Sequence, residues 1–296
     1  MAYSGISVSA LADISLKAFA DEVSPLAAFS QNFSDASANR GDGIKTRIIA
    51  DSDAAEFGGS YSALSSGVSS EVLVPLDKHF AAVCPLNDVD ASKSGIDIES
   101  FFKQVFETKI RSVARKCVYH ALGKFTVADY GAVTVTSAAS AFDRADIKLL
   151  NDALDTGKCP KENRNLIMNN PYYSQIAYEL TGLGYNYGDE AIRDGKAPRV
   201  NGFDLYPITA WPTNASNIVG AAIHPSSLAV AMRPVWVPSE NTLLDYAVAT
   251  DPMTGVSFDI KRLYDANSGN SYLVAETLFG AVAAIKTGTV AFVASA

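Results

Sequence analysis

IDIESFFKQVFETKIRSVARKCVYHAL, residues 96–122, is the stretch of sequence that decides the fold. Its apolar residues recur at spacings of three and four, which is the period of one face of an α-helix. At ~1.5 Å per residue such a helix is about 40 Å long, and Gly123 is positioned to end it. The sequence therefore predicts a long spine helix that supports the other layers of the fold. Its apolar face comprises Ile98, Phe101, Phe102, Val105, Phe106, Ile110, Val113, Cys117, Val118 and Ala121.

The segment before the helix has the pattern of a long β-hairpin. A stretch with the residue alternation of a β-strand begins at Lys45, and a Gly/Ser-rich tip follows it. Residues typical of β-strands return at Glu71. Two strands joined by a soft turn predict an extended hairpin. Because an isolated two-stranded hairpin is marginally stable in water, we expect support from another subunit. Residues 1–44 predict an N-terminal arm with one short helix, marked by Leu11 and Phe19, followed by a polar extended segment, 30–43, that buries little against its own chain.

The chain after the spine helix predicts an α+β unit and then a mostly β segment. Within residues 142–234 we expect an amphipathic helix from Asp143 to Gly157 and a helix beginning at Asn170. Short strands are predicted at 165–168, 200–208 and 218–223, and a further short helix at 224–232. The segment 235–296 predicts β-strands separated by turns, with 277–284 ambiguous between strand and helix.

This order of parts resembles the Hong Kong 97-like major capsid proteins of tailed bacteriophages, over nearly the whole chain. The similar stretches are 72–80, 165–173 (NLIMNNPYY), 195–206 (GKAPRVNGFDLY), 221–232 (AAIHPSSLAVAM), 251–258 (DPMTGVSF) and 275–281 (AETLFGA). The resemblance implies an α+β Hong Kong 97-like capsid fold. Its implied parts are an N-terminal arm (1–44), an extended loop hairpin (45–90), the spine helix with peripheral-domain strands (91–141), an axial domain (142–234) and a peripheral-domain β return (235–296).

The same resemblance implies a structural role and not an enzyme. We expect self-assembly into pentamers and hexamers that form an icosahedral or elongated shell around a double-stranded DNA genome. The expected partners are a separate scaffolding protein, a portal and a decoration protein, with packaged DNA contacted weakly and non-specifically. The location would be the virion, after assembly in the host bacterial cytoplasm. Some members of the family crosslink through a lysine on the extended loop, but residues 46–70 contain no lysine, so we expect no crosslink from the loop tip.

Composition excludes several other classes. The net charge of −8 disfavours nucleic-acid binding as the main role. Cys84, Cys117 and Cys159 form no CxxC motif and predict reduced thiols. The sequence contains no run of about 18 apolar residues, so it predicts no transmembrane helix.

No motif predicts an enzyme, a cofactor or a metal site. The chain has neither G-x-S-x-G nor a phosphate-binding G-x-x-x-x-G-K-[ST] loop. His224, close to Ser226, predicts a helix cap and not a catalytic pair. His120, near the end of the spine helix, is placed where the helix dipole favours a cation.

The distribution of charged residues along the chain indicates which of them could contact a neighbouring subunit. Residues 1–95 carry six basic and twelve acidic side chains, whereas residues 96–124 carry six basic and three acidic ones. An acidic hairpin could therefore lie over the basic spine helix of a neighbouring subunit. The candidates are Asp51, Asp53 and Glu56 on the hairpin, Arg111 and Arg115 on the spine, and Tyr185 and Tyr187, which fit either ordinary packing or a contact surface.

Two alternatives stay open from the sequence. An encapsulin-like compartment shell shares the expected fold but encloses a cargo enzyme in place of DNA. A soluble α+β protein that binds a carbohydrate or another ligand belongs to a different class. A stable monomer with a small-molecule pocket would favour the latter.

Overall fold

The computed structural model describes residues 8–31, 43–49, 69–87, 98–182, 199–235, 243–250, 257–265 and 270–296. The described residues fall into two compact units, each built from three stretches of chain. The first unit draws on 1–42, 76–124 and 230–281, and the second on 43–75, 125–229 and 282–296.

Five helices and thirteen strands lie in the described residues. The helices are α1 (Val8–Val23), α2 (Ile98–Leu122), α3 (Val127–Tyr130), α4 (Arg144–Thr156) and α5 (Asn170–Gly182). The strands are β1 (Ser30–Gln31), β2 (Gly43–Ile49), β3 (Ser69–Pro75), β4 (Lys78–Asn87), β5 (Val133–Thr136), β6 (Asn165–Asn169), β7 (Asp204–Ile208), β8 (Ile218–Ile223), β9 (Leu228–Arg233), β10 (Leu243–Thr250), β11 (Ser257–Asp265), β12 (Asn270–Ala283) and β13 (Val290–Ala294).

The predicted spine helix is confirmed as α2, a helix of 25 residues. Phe106, Ile110, Ala114 and Cys117 are buried along one face, as the three- and four-residue spacing requires. The N–H of Gly123 donates to the Tyr119 carbonyl at the end of the helix. Helix α2 packs against α1 and β4 in the first unit.

Residues 8–29 of the predicted N-terminal arm pack within the first unit, and residues 32–42 of the predicted extended segment lie outside the described residues. Phe19, Val23 and Leu26 are fully buried, and the Phe19 ring lies 4.5 Å from that of Phe258 between centroids. The short helix itself was predicted correctly. Its apolar residues bury against α2 and β10, which no local pattern could identify as partners.

The first unit is built on a six-stranded sheet in the order β1-β9-β12-β11-β10, with β4 also pairing with β12. Strands β10, β11, β12 and β4 pair antiparallel in register. The ambiguous segment 277–284 is therefore mostly strand. No helix of the described residues is long and apolar enough to span a membrane.

The predicted pairing of two strands in a hairpin is confirmed for β2 and β3, whereas residues 78–87, also predicted within the hairpin, form β4 and pair with β12. β2 and β3 pair antiparallel, from Gly43 opposite Pro75 to Ile49 opposite Ser69. They form a two-stranded sheet of their own, and Leu73 on β3 is 56% exposed.

The second unit also contains a five-stranded sheet in the order β5-β13-β8-β6-β7. β13 runs parallel to β5 and antiparallel to β8. Residues 282–296 therefore belong with the second unit, whereas the sequence division kept 235–296 together. The helix predicted from Asp143 is confirmed as α4. It begins at a capping box in which Asp143 accepts from the backbone N–H groups of Ala145 and Asp146.

The short helix predicted at 224–232 is wrong. A single 3-10 turn, Pro225–Ser227, leads directly into β9. The apolar residues 228–232 are all buried. A strand buried on both faces shows no alternation, so its apolar run had the appearance of a short helix.

Two internal contacts hold the turn after α4. The buried Arg164 guanidinium donates to the carbonyls of Cys159 and Pro160 at 2.6 and 2.8 Å, and to Asp155 at 2.7 Å. Gly157 lies so close to Gly288 that a Cβ on Gly157 would be 2.5 Å from the Gly288 Cα.

Candidate interaction surfaces

The structure describes only two of the predicted contact residues, Arg111 and Arg115, both on α2. Asp51, Asp53, Glu56, Tyr185 and Tyr187 lie outside the described residues. The contact predicted between the acidic hairpin and the spine helix of a neighbour therefore stays a prediction.

Arg115 already has an acidic partner in its own chain. Its Nε and Nη2 donate to the two carboxylate oxygens of Glu22 on α1 at 3.0 and 2.7 Å. These hydrogen bonds raise the pKa of the Arg115 guanidinium. This bidentate geometry fixes the orientation of both groups. The acidic partner of Arg115 is therefore Glu22 on α1 of the same chain. Sequence reasoning missed Glu22 because its contact crosses from one helix to another.

Arg111 is shared between two carboxylates. Its Nη2 donates to Glu107 Oε1 at 3.0 Å, one helical turn earlier, and its Nη1 lies 4.0 Å from Glu22 Oε1. The side chains of Arg111 and Arg115 remain 41% and 49% exposed. Both guanidinium groups can therefore meet a further acidic group on their exposed side, with a modest gain in energy because exposed ion pairs are screened.

A second charged group, missed from the sequence, lies on one face of the first unit's sheet. Asp259 on β11 is directly opposite Glu276 on β12, and Lys261 Nζ contacts Glu276 and lies 3.4 Å from Asp259 Oδ2. His79 Nε2 on β4 lies 2.8 Å from the other Glu276 oxygen. The backbone N–H of Val235 donates to Asp259 Oδ1 at 3.0 Å. We call these four side chains the ion cluster.

Burial is what makes the ion cluster unusual. The side chains of Asp259, Glu276 and Lys261 are 0%, 8% and 12% exposed, and that of His79 is 50% exposed. Burial raises the pKa of Asp259, although the Val235 N–H and Lys261 oppose the effect. The sequence signal was the pair Asp259 and Lys261, two opposite charges spaced two residues apart and therefore on the same face of a strand.

His120 does not behave as the sequence suggested. Burial lowers the pKa of its imidazole, and Lys124 lowers it further, whereas Asp77 opposes the shift. The ring lies 6.1 Å from Phe80 and 5.9 Å from Phe279 between centroids. Its buried Nε2 has no hydrogen-bond partner among the described residues. The neutral form is favoured, contrary to the cation expected from the helix dipole.

His224 serves as a cap, as predicted. Its Nδ1 accepts from the Ser226 N–H at 3.3 Å and lies 2.7 Å from Ser226 Oγ. The cap holds the 3-10 turn before β9. Burial lowers the pKa of His224, and the positive charge of Arg164 acts in the same direction. No group of three or more His, Cys, Asp or Glu residues in the described ranges could hold a metal ion.

Strand β10 presents an apolar edge. Leu244, Tyr246 and Val248 alternate along it and are 57%, 37% and 42% exposed. In the described part of the sheet β10 is the terminal strand. An exposed apolar edge strand is the kind of surface that pairs with another chain.

The fold of this chain is similar to that of solved capsid structures. Neither a scan against protein-family models nor a search of curated proteins finds a match. Among solved structures, a capsid structure of the cyanophage P-SCSP1u superimposes with a TM-score of 0.57 at 13% identity, covering 91% of this chain and 86% of that one. The mature capsid of bacteriophage PhiM1 gives 0.54 at 12% identity, covering 90% and 85%. The capsid of a native GTA particle gives 0.52 at 13% identity, covering 93% and 91%. At these identities the likeness is one of fold, and the chain has the mixed α and β fold of phage capsid structures.

Proposed function

We propose that this chain is the major capsid protein of a tailed phage, a Hong Kong 97-like shell subunit that assembles into pentamers and hexamers around a double-stranded DNA genome. The observation that carries the proposal is the fold shared with phage capsids over 91% of this chain and 86% of the cyanophage chain. A match of such extent takes in parts of both compact units. The role is structural, and the location is the virion shell.

The hairpin gives physical support to assembly. β2 and β3 form a separate two-stranded sheet, and a two-stranded hairpin alone is marginally stable in water. The exposed Leu73 would gain burial against a neighbouring subunit. Folding of the hairpin and formation of the interface would then be coupled.

We further propose that the hairpin acids Asp51, Asp53 and Glu56 meet Arg111 and Arg115 of a neighbour. The half-exposed guanidinium groups support this proposal, because Glu22 covers only part of their surface. A scaffolding protein, a portal and a decoration protein are the proposed further partners. Packaged DNA would be contacted weakly and non-specifically, in line with the net charge of −8.

Electron microscopy of the chain, expressed alone and with its genomic neighbours, tests the assembly proposal. Shells, tubes or hexameric rings are expected, and a clean monomer under both conditions would refute it. Nuclease-protected DNA inside the particles distinguishes a phage head from a compartment that holds a cargo protein.

A charge-reversal series tests the contact proposal. Converting Asp51, Asp53 and Glu56 to Lys should reduce the yield of particles at low salt, because like charges would then face the spine helix. Glu22→Gln is the matched control, since it removes the acidic partner within the chain and leaves the hairpin unchanged. Unchanged assembly and salt dependence in the triple variant would contradict the contact.

A further inference from the structure

One flank of the spine helix carries three lysines. Lys109 and Lys116 lie about 20° apart around α2, because seven residues at ~100° each complete nearly two turns. Their Cα atoms are separated by about 10 Å along the helix axis. Lys124 follows two residues after the helix ends at Leu122. We call Lys109, Lys116 and Lys124 the lysine row.

The lysine row lies on the side of α2 that packs on β4. Burial raises the pKa of Cys84 on β4, and the nearby positive charge of Lys109 opposes this effect. Further along the helix, Lys124 acts on His120, whose ring lies 6.1 Å from that of Phe80 on β4 between centroids. The row therefore follows the α2 flank next to β4 over most of the strand.

The lysine row has no acidic partner in the described part of the chain, although two of its members are exposed and the third is partly buried. Strand β4 contains no carboxylate, and Asp77 just before it pairs with Lys78 at 3.3 Å. The other flank of α2 differs. Arg111 and Arg115 lie about 130° further around the helix, where Glu22 and Glu107 neutralise part of their charge.

Unpaired cations along a straight line suit a linear polyanion. Each strand of duplex DNA carries one phosphate per ~3.4 Å of helix axis, so about three phosphates span the distance from Lys109 to Lys116. Lysine presents a mobile point charge and not a planar fork, which fits contact with a backbone whatever its sequence. Residues 96–124 carry six basic and three acidic side chains, so this helix is positive in a chain of net charge −8.

We propose that the lysine row is a contact surface for the phosphate backbone of duplex DNA, separate from the flank of Arg111 and Arg115 that faces a neighbour's hairpin acids. This inference rests on the proposed function, because its partner is the packaged genome. It locates the weak, non-specific DNA contact on one flank of the spine helix in the first unit. Because the contact consists of single cations on phosphates, it weakens steeply as salt is added.

Fluorescence anisotropy of a labelled DNA duplex with the full-length chain, between about 50 and 200 mM NaCl, tests this contact. The dissociation constant should rise with salt, with a logarithmic slope of ~0.9 for each phosphate contacted. The triple variant Lys109→Gln, Lys116→Gln, Lys124→Gln should lower that slope by about 2–3. Over this salt range the wild type should then lose about 40-fold more affinity than the variant.

The matched control replaces three exposed lysines of the second unit, Lys148, Lys158 and Lys161, by Gln. It makes the same change in net charge and should lower the slope by less than about 1. The double variant Lys109→Gln, Lys116→Gln changes only exposed side chains, so it is expected to fold. It provides a second reading, a decrease of about 2 in the slope.

Equal slopes for the wild type and the triple variant would overturn the contact, as would a control variant that lowers the slope as much. Binding of a poly-glutamate probe through the row, without binding of DNA, would overturn it in favour of an acidic protein partner. Electron microscopy of the same samples separates this test from that of the proposed function. Shells formed by a chain whose DNA slope ignores the lysine row refute the row alone, whereas a monomer that binds DNA through the row refutes the shell role alone.

Discussion

The contact between Gly157 and Gly288 allows the cost of a steric clash to be separated from the cost of an unusual backbone angle. Gly157 has an ordinary φ of −75°, but a Cβ there would lie 2.5 Å from the Gly288 Cα. Overpacking of this kind costs ~1–3 kcal/mol, and the stiffer unfolded chain of the alanine variant returns ~0.4–1 kcal/mol. Gly157→Ala should therefore lower the free energy of unfolding by about 1–2 kcal/mol.

Gly202 and Gly288 complete the series. Gly202 has a φ of +88°, and a Cβ added there would have nothing within 4 Å, whereas Gly288 combines a φ of +71° with a Cβ position 2.8 Å from the Gly157 Cα. A left-handed conformation costs an L-residue ~1–2 kcal/mol. Gly202→Ala should then cost about 0.5–1 kcal/mol, and Gly288→Ala about 2–4 kcal/mol.

Urea unfolding measures the free energy of unfolding of the three alanine variants and the wild type. All curves are fitted with the same dependence on urea concentration. The expected order of destabilisation is Gly288, then Gly157, then Gly202. A neutral or stabilising Gly157→Ala would refute the reasoning, because it would mean that the two turns separate without cost.

Two further variants test the packing of each unit. Arg164→Met should lower the free energy of unfolding by about 3–5 kcal/mol in urea titrations, because the buried Cys159 carbonyl and the Pro160 carbonyl lose their donor and Asp155 loses its partner; a loss below ~1 kcal/mol would contradict this role. Phe19→Ala should cost about 3–5 kcal/mol by removing a fully buried ring that packs on Phe258. Leu149→Ala, at a side chain that is 53% exposed, is its control and should cost less than ~0.5 kcal/mol; equal losses would show that α1 is not part of the core.

The sequence was informative where a local pattern determines the structure. The three- and four-residue spacing from Phe106 to Cys117 predicts α2 because a helix buries one face. Asp143 predicts the start of α4 because its carboxylate satisfies the free N–H groups of the first turn. The hairpin followed from two β-type runs on either side of a Gly/Ser-rich segment.

Prediction from sequence failed where the structure depends on distant partners. Nothing near Glu22 indicates that its carboxylate will meet Arg115, and nothing near Phe19 indicates that it will pack on Phe258. The run 228–232 is buried on both faces as β9, so it lacks the alternation that identifies a strand. The ion cluster combines three strands whose register is set by the whole sheet.

The place of β13 between β5 and β8 has a consequence for how the chain is made. β5 and β8 leave the ribosome well before residues 290–294, which must enter between them. During that interval both strands have an unpaired edge, and such edges favour association between nascent chains. The second unit thus cannot close one segment at a time as it is synthesised. A high local concentration of growing chains would therefore favour their association before residues 290–294 can complete the second unit.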